Sequence, residues 1–185
     1  TEESVEGFVF YLVQYSLTNV NTFLTILAFG YITKGILQNN SSVREFVLLD
    51  DLKGQFYKNP LLVISFSVSL FSMAGIPPLM GFFAKQMVLY SVSYNYSYVA
   101  ILAIVMSVIS ASYYLKIVQL MFFQKDSAPT ILSSEGETSE TGTPLITSMH
   151  SSVIAILTLM ISLYLFDSSI LLNACHLLSL SLFSS

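Results

Sequence analysis

Residues 69–85 read SLFSMAGIPPLMGFFAK, and this stretch decides how the chain is folded. It lies inside an apolar segment, residues 61–92, that would be about 48 Å long as one helix, well over the roughly 30 Å of a bilayer core. Two consecutive prolines remove two backbone donors and disfavour helical geometry before them, and a glycine lets the chain turn. The segment predicts two half-helices joined by a short bend, with a simple proline kink as the alternative. The predicted bend consists of Gly75, Ile76, Pro77 and Pro78.

The composition of the chain is that of a membrane protein. Hydrophobic residues make up 54% of the 185 residues and charged residues only 10%, with a mean hydropathy of +0.73. Globular domains usually carry about 25% charged residues. Four apolar stretches are each long enough to cross a bilayer. They cover residues 8–33, 61–92, 98–123 and 149–166.

We therefore predict an all-α, polytopic membrane fragment with four transmembrane helices, of which the second is discontinuous. Residues 124–147 are rich in Ser, Thr, Glu and Pro, and they predict a mobile aqueous loop because they cannot bury enough apolar surface to order themselves. Residues 168–183 are short for a span and predict a C-terminal interfacial or partner-contacting helix. The chain begins without a methionine, from which we expect a split, processed or excised segment.

The composition also excludes several classes of function. A single cysteine, Cys175, cannot supply an iron–sulfur cluster, and His150 and His176 have no spacing that suggests a shared metal. No glycine-rich phosphate-binding motif is present, so we expect no cofactor in this chain. The net charge of −4, with seven basic residues, argues against a nucleic-acid surface.

Basic residues set the predicted orientation, because Lys and Arg are enriched in loops on the cytoplasmic or matrix side. With four spans, one side of the membrane receives all the loop Lys and Arg, whereas the termini and the link 93–97 on the other side carry none. Both termini are therefore predicted to face away from the matrix. The loop residues on the basic side are Lys34, Arg44, Lys53, Lys58 and Lys125.

Lys85 is the most informative single residue. It follows Pro78 by seven residues and lies within the second half-helix. This half-helix leads to the side of the membrane that has no other basic residue. A charge inside a span costs about 2.5–3.5 kcal/mol on insertion scales, so a buried one usually serves a pathway. Desolvation disfavours the charged form of an amine, which favours proton gain and loss during turnover. Snorkelling of the lysine to the interface is the alternative.

The run 69–85 closely resembles the antiporter-like membrane subunits of respiratory complex I. Residues 10–15, 52–60 and 112–116 (FYLVQY, LKGQFYKNP and SYYLK) also match that family, and the resemblance covers roughly residues 8–123. It implies a fourteen-helix subunit in which this chain supplies the last four helices, and it maps the channel lysine of the broken helix onto Lys85. The family's other proton-route groups would fall outside this chain, which implies a partner chain that supplies the N-terminal helices.

Other polar residues carry weaker predictions. Lys116 fits a snorkelling anchor better than a relay, and the aromatic pair Tyr113 and Tyr114 fits either water binding or an ordinary interface. The first span is unusually polar, and its polar residues cannot all face lipid. Some of them must meet another helix or a hydrated cavity. The residues considered as possible pathway lining are Lys116, Tyr114, Gln14, Asn19 and Asn21.

The resemblance thus implies part of a proton-translocating NADH:ubiquinone reductase in the mitochondrial inner membrane, and the distribution of basic residues then predicts both termini in the intermembrane space. The predicted partners are the other membrane subunits of the complex and the lipid bilayer. A subunit of a stand-alone multisubunit cation/proton antiporter is the main alternative. A purely structural anchor, with Lys85 fully exposed at the lipid headgroups, is a third.

Overall fold

The computed structural model describes residues 2–37, 52–94, 96–123, 148–164 and 168–184, and these residues form seven α-helices and no strand. The all-α prediction is confirmed for this part of the chain. The predicted loop 124–147, Arg44, Lys125 and the last residues of the predicted fourth span lie outside the described residues. The helices are α1 (Glu2–Leu37), α2 (Gln55–Lys58), α3 (Pro60–Ala74), α4 (Met80–Ser93), α5 (Ser97–Phe123), α6 (Ser148–Leu163) and α7 (Ser169–Ser184).

The helix α1 is the centre of the bundle, and it packs against α3, α4, α6 and α7. The helix α5 lies on the outside and packs against α3 and α4. Only 6% of its most apolar stretch of 18 residues is buried. The face of α1 that meets α3, in contrast, is buried and polar. The bundle therefore has apolar residues outside and a polar interface near its centre, as expected where the solvent is lipid.

Among the described helices, only α5 is both long enough and apolar enough to span a bilayer by length and composition alone. Its most apolar 18 residues have a mean hydropathy of 1.9. Shorter apolar helices cover Pro60–Ala74, Met149–Leu163 and Leu171–Ser181. The helix α1 has 36 residues, and polar residues on its inner face lower its hydropathy. The count of four spans stays a prediction.

Two apolar clusters hold the bundle together. One joins the C-terminal half of α1 to α3 and α5, where Phe29 and Phe66 meet edge-on with ring centroids 6.1 Å apart. The other joins the N-terminal half of α1 to α4, to α7 and to Tyr164, which follows the last residue of α6. The ring centroids of Phe10 and Tyr164 are 5.5 Å apart. Cys175 of α7 is buried in this second cluster, so the tail packs along α1.

Candidate functional site

The non-helical bend between α3 and α4 spans residues 75–79 and includes the two prolines that predict it. Gly75 takes the left-handed conformation with φ at +86°, which glycine adopts without steric cost. The amides of Gly75 and Ile76 both donate back to the carbonyl of Phe71, which is the usual way for a helix to end at a glycine. The sequence terminates α3 by local hydrogen bonds, before any contact with α4 is considered.

The two half-helices approach each other closely through Gly81 and Ser72. A Cβ atom on Gly81 would lie 1.8 Å from the carbonyl oxygen of Ser72, so this position admits only glycine. The amide of Gly81, in the first turn of α4, donates to the Ser72 hydroxyl at 3.2 Å. This bond satisfies one of the N–H groups that the start of α4 leaves without an intrahelical partner.

Lys85 reaches back across the bend to the end of α3. Its Nζ donates to the carbonyl oxygens of Met73 at 2.8 Å and of Ala74 at 3.1 Å. These carbonyls belong to the last turn of α3, where the helix dipole favours a positive charge. Lys85 is half-buried, and the aliphatic part of its side chain packs over Gly75. A fully exposed position at the headgroups, which the structural-anchor alternative predicts, does not describe it.

Two clefts meet at Lys85. A cleft of about 430 Å³ lies between α4 and α5 and extends from Gly75 and Lys85 to Tyr90 and Ser93, at the end of α4. A smaller cleft of about 210 Å³ extends in the other direction, between α1, α3 and α5. The residues that line the smaller cleft together with Lys85 include Tyr11, Gln14, Ser72, Ser107, Ser110 and Tyr114. The amine therefore lies where the two clefts come together.

The other residues considered in the sequence are distributed unequally. Gln14 and Tyr114 lie in the smaller cleft with Lys85. Asn21 is buried further along α1 and contacts α3 and α6. Lys116 is exposed on α5 and Asn19 is half-buried on α1, and the described clefts at Lys85 are lined by neither of them.

The sequence reasoning did not single out Ser72, although its hydroxyl joins three elements. It accepts hydrogen bonds from the side-chain amide of Gln14 at 3.4 Å and from the amide of Gly81. Gln14 also reaches Thr18 on its own helix at 3.5 Å. A signal was present, because Ser65, Ser69 and Ser72 recur at the spacing that places them on one face of a helix.

Comparison with known proteins gives one family and several relatives. The family described as NADH:quinone oxidoreductase/Mrp antiporter, TM, matches residues 1–110. NADH-ubiquinone oxidoreductase chain 2 of Rhizopus oryzae is 45% identical over 98% of this chain and 37% of its own length. NADH-quinone oxidoreductase subunit N of Hydrogenovibrio crunogenus is 41% identical over 63% of this chain and 23% of its own length. The chain thus spans well under half the length of these relatives.

One solved structure adds a likeness of fold. A chain of respiratory complex I from Thermus thermophilus with bound aureothin superposes with a TM-score of 0.62 at 24% sequence identity. The superposition covers 90% of this chain and 34% of that chain. At this identity the likeness concerns the fold alone.

Proposed function

The chain belongs to the NADH:quinone oxidoreductase/Mrp antiporter transmembrane family, and we propose that it is the C-terminal part of a chain 2 subunit that translocates protons in a mitochondrial NADH:ubiquinone oxidoreductase. The observation that carries the proposal is the contact between the Lys85 amine and the last carbonyls of α3, at the point where two clefts meet. The near-complete coverage by the Rhizopus relative supports chain 2 over other subunits.

In this proposal Lys85 accepts a proton from the smaller cleft and releases it into the larger one. When it is protonated, the amine is held by two carbonyls and by the helix end, an interaction worth about 0.3–2 kcal/mol. Loss of the proton removes the charge–dipole part of that interaction, so the hold of Lys85 on the bend weakens. Proton occupancy and the geometry of the residues 75–79 are then coupled, and the bend is the element that flexes.

The larger cleft supports a direction for proton release. It runs along α4 to Tyr90 and Ser93, beside the link that carries no basic residue. The basic-residue rule assigns that link to the side opposite the matrix. We therefore propose four spans in the mitochondrial inner membrane, with both termini on the intermembrane-space side and proton release toward that side.

The source of energy lies in other chains of the complex. Electron transfer in other subunits changes the charge or conformation that Lys85 experiences, while this chain holds no cofactor of its own. Its partners are the other membrane subunits of the complex. The family also includes Mrp antiporters, so a subunit of a stand-alone cation/proton antiporter is the second candidate. Co-purification with a flavin- and iron–sulfur-bearing assembly favours the first, and an isolated antiporter complex favours the second.

The decisive experiment replaces Lys85 by methionine in the assembled complex and measures proton uptake into sealed vesicles during turnover. Methionine fills a similar volume without a titratable group, so Lys85→Met should abolish proton movement through this subunit while assembly persists. Lys85→Arg should also be impaired, because a guanidinium keeps its proton at all relevant pH values. Lys116→Met is the matched control, since that lysine is exposed on α5. Full pumping stoichiometry in Lys85→Met refutes the proposal.

A further inference from the structure

A buried seam of uncharged polar side chains runs between α1 and α3, away from Lys85. On α1 the contributing residues recur at spacings of four, three and four, which places them on one helix face. On α3 the serines recur at four and three. All of these side chains are buried, with exposed fractions between 0% and 6%. The seam consists of Gln14, Thr18, Asn21 and Thr25 on α1 and Ser65, Ser69 and Ser72 on α3.

Asn21 is the junction of the seam. Its side-chain Nδ2 donates to the hydroxyl of Ser69 at 2.8 Å and to the hydroxyl of Thr158, on α6, at 3.2 Å. Thr158 is also 2.5 Å from the hydroxyl of Ser65. Four side chains from three helices therefore form one hydrogen-bonded group.

The side-chain oxygen of Asn21 has no partner in the part of the chain that the structure describes. Asn21 is 0% exposed, and its Oδ1 has no hydrogen-bond donor among the described residues. The hydroxyls beside it donate elsewhere, that of Ser69 to the carbonyl of Ser65 and that of Thr158 to the carbonyl of Ile154. A buried acceptor without a donor is costly, and an internal water molecule is the usual donor at such a site.

The two ends of the seam open into different cavities. At one end Gln14 and Ser72 line the smaller cleft that contains Lys85. At the other end Ser65 and Thr158 line a cavity of about 560 Å³ between α3 and α6. That cavity extends to Asn59 at the start of α3, and so to the side on which the loop lysines lie.

We propose that the seam binds internal water at Asn21 and is the route by which protons reach Lys85 from the basic side. The route begins in the cavity between α3 and α6, passes the hydroxyls of Ser65, Thr158 and Ser69, and ends at Ser72. This inference rests on the proposed function of Lys85. It adds a path for proton entry from the basic side, which the two clefts at Lys85 do not provide.

Each step of the route as far as Ser72 is a proton transfer between oxygens, and the last step passes the proton from an oxygen to the nitrogen of Lys85. A water or hydroxyl oxygen accepts a proton on a lone pair and releases its own proton to the next oxygen, so one O–H bond forms as another breaks. The proton comes from water on the basic side, and the amine of Lys85 is the last acceptor. Asn21 transfers no proton, since its amide only positions the water. Ser69 and Ser72 are separated by just under one helical turn, about 5 Å, which one water can bridge.

The test compares two serines of α3 in the assembled complex. Ser69 and Ser67 are both buried, and the hydroxyl of each donates to the carbonyl four residues earlier in α3, but Ser69 also accepts a hydrogen bond from Asn21 on α1. In sealed vesicles, Ser69→Ala and Asn21→Leu should each slow proton uptake about tenfold, which corresponds to roughly 1.4 kcal/mol on the barrier. Ser67→Ala should pump as the wild type does.

A second measurement does not depend on the rate of pumping. A map of the assembled complex that resolves ordered water should show density within hydrogen-bond distance of Asn21 Oδ1, and none there in Asn21→Leu. Full pumping in Ser69→Ala, or a dry seam in the map, overturns the route. If Lys85→Met stops pumping while Ser69→Ala keeps it, only the route fails. If Lys85→Met pumps normally, the proposed function fails first.

Discussion

The broken pair α3–α4 and the unbroken helix α5 lie side by side and use the same residue types for different purposes. In α5, the hydroxyls of Ser107, Ser110 and Ser112 each donate to a carbonyl three or four residues earlier in the same helix. In α3, Ser72 accepts hydrogen bonds from α1 and from α4. A helix that continues satisfies its own polar groups, whereas a helix that stops inside the bundle must bond with its neighbours.

The difference extends to burial. Most of α5 is exposed and apolar, as suits a surface that faces lipid or another subunit, while the buried face of α3 is largely serine. Polar groups inside a membrane protein are tolerated where protein or water satisfies them. The candidate site therefore lies where hydroxyls form hydrogen bonds between helices. The number of hydroxyls in a helix does not locate it.

The largest expected effect of a single substitution is at Gly81, where the two half-helices touch. In Gly81→Ala the added Cβ would lie 1.8 Å from the backbone oxygen of Ser72, and a backbone atom cannot move aside as a side chain does. The folded chain should lose about 3 kcal/mol or more of stability. Thermal unfolding and the yield of assembled complex measure this loss. Gly30→Ala is the control, because a Cβ at Gly30 meets open space and should be neutral or mildly stabilising. Normal assembly of Gly81→Ala would show that α3 and α4 are further apart than described.

The next effect tests the serine comparison directly. Ser72→Ala removes the acceptor of two buried donors, one on Gln14 and one on Gly81, and should cost about 2 kcal/mol of unfolding free energy. Ser110→Ala in α5 removes only a bond within its own exposed helix and should stay within about 0.5 kcal/mol of the wild type. Chemical denaturation of both variants in the same detergent measures the difference. Equal costs would abolish the distinction between the two helices.

A smaller effect is expected at Gly75, where the backbone conformation matters. Alanine in a left-handed conformation costs about 1–2 kcal/mol, and the stiffer unfolded chain offsets about 0.4–1 of it, so Gly75→Ala should lose about 1 kcal/mol of stability. Its Cβ would also lie 3.1 Å from Cδ of Lys85. Gly75→Asn should be more stable than Gly75→Ala, since asparagine tolerates this conformation, yet it should pump no better because its side chain crowds Lys85. Better pumping in Gly75→Asn than in Gly75→Ala would show that the conformation of the bend matters for proton transfer and that crowding of Lys85 does not.

Much of this arrangement could be predicted from local sequence. The bend follows from Gly75 and the two prolines, and the position of Lys85 beside it follows from counting residues along a helix. The Schellman-type ending of α3 needs no tertiary contact, because the residues that form it are neighbours in the chain. Features of this kind depend on backbone chemistry within a few residues.

The rest depends on how the helices are rotated and which helices meet. Gln14, Asn19 and Asn21 are equally polar in the sequence, but only the packing of α1 against α3 and α6 decides that Asn21 is buried and Asn19 half-buried. Thr158 approaches Asn21 across 137 residues of chain, beyond the reach of any periodicity argument. The importance of Ser72 likewise requires the close approach of Gly81. Rules that use only neighbouring residues predict the break between α3 and α4. The hydrogen-bond partners on other helices are visible only in the folded chain.

The smallest effect concerns the wall that α5 contributes to the site. Tyr114 lines the smaller cleft with Lys85, whereas its neighbour Tyr113 is exposed. Tyr114→Phe keeps the ring and removes a hydroxyl that can bind water in the cleft, so proton uptake should slow about twofold to threefold, with stability within about 0.5 kcal/mol of the wild type. Tyr113→Phe should change neither quantity. If the two variants pump equally, α5 only encloses the cleft, and every polar group that conducts belongs to the broken pair, to α1 and to α6.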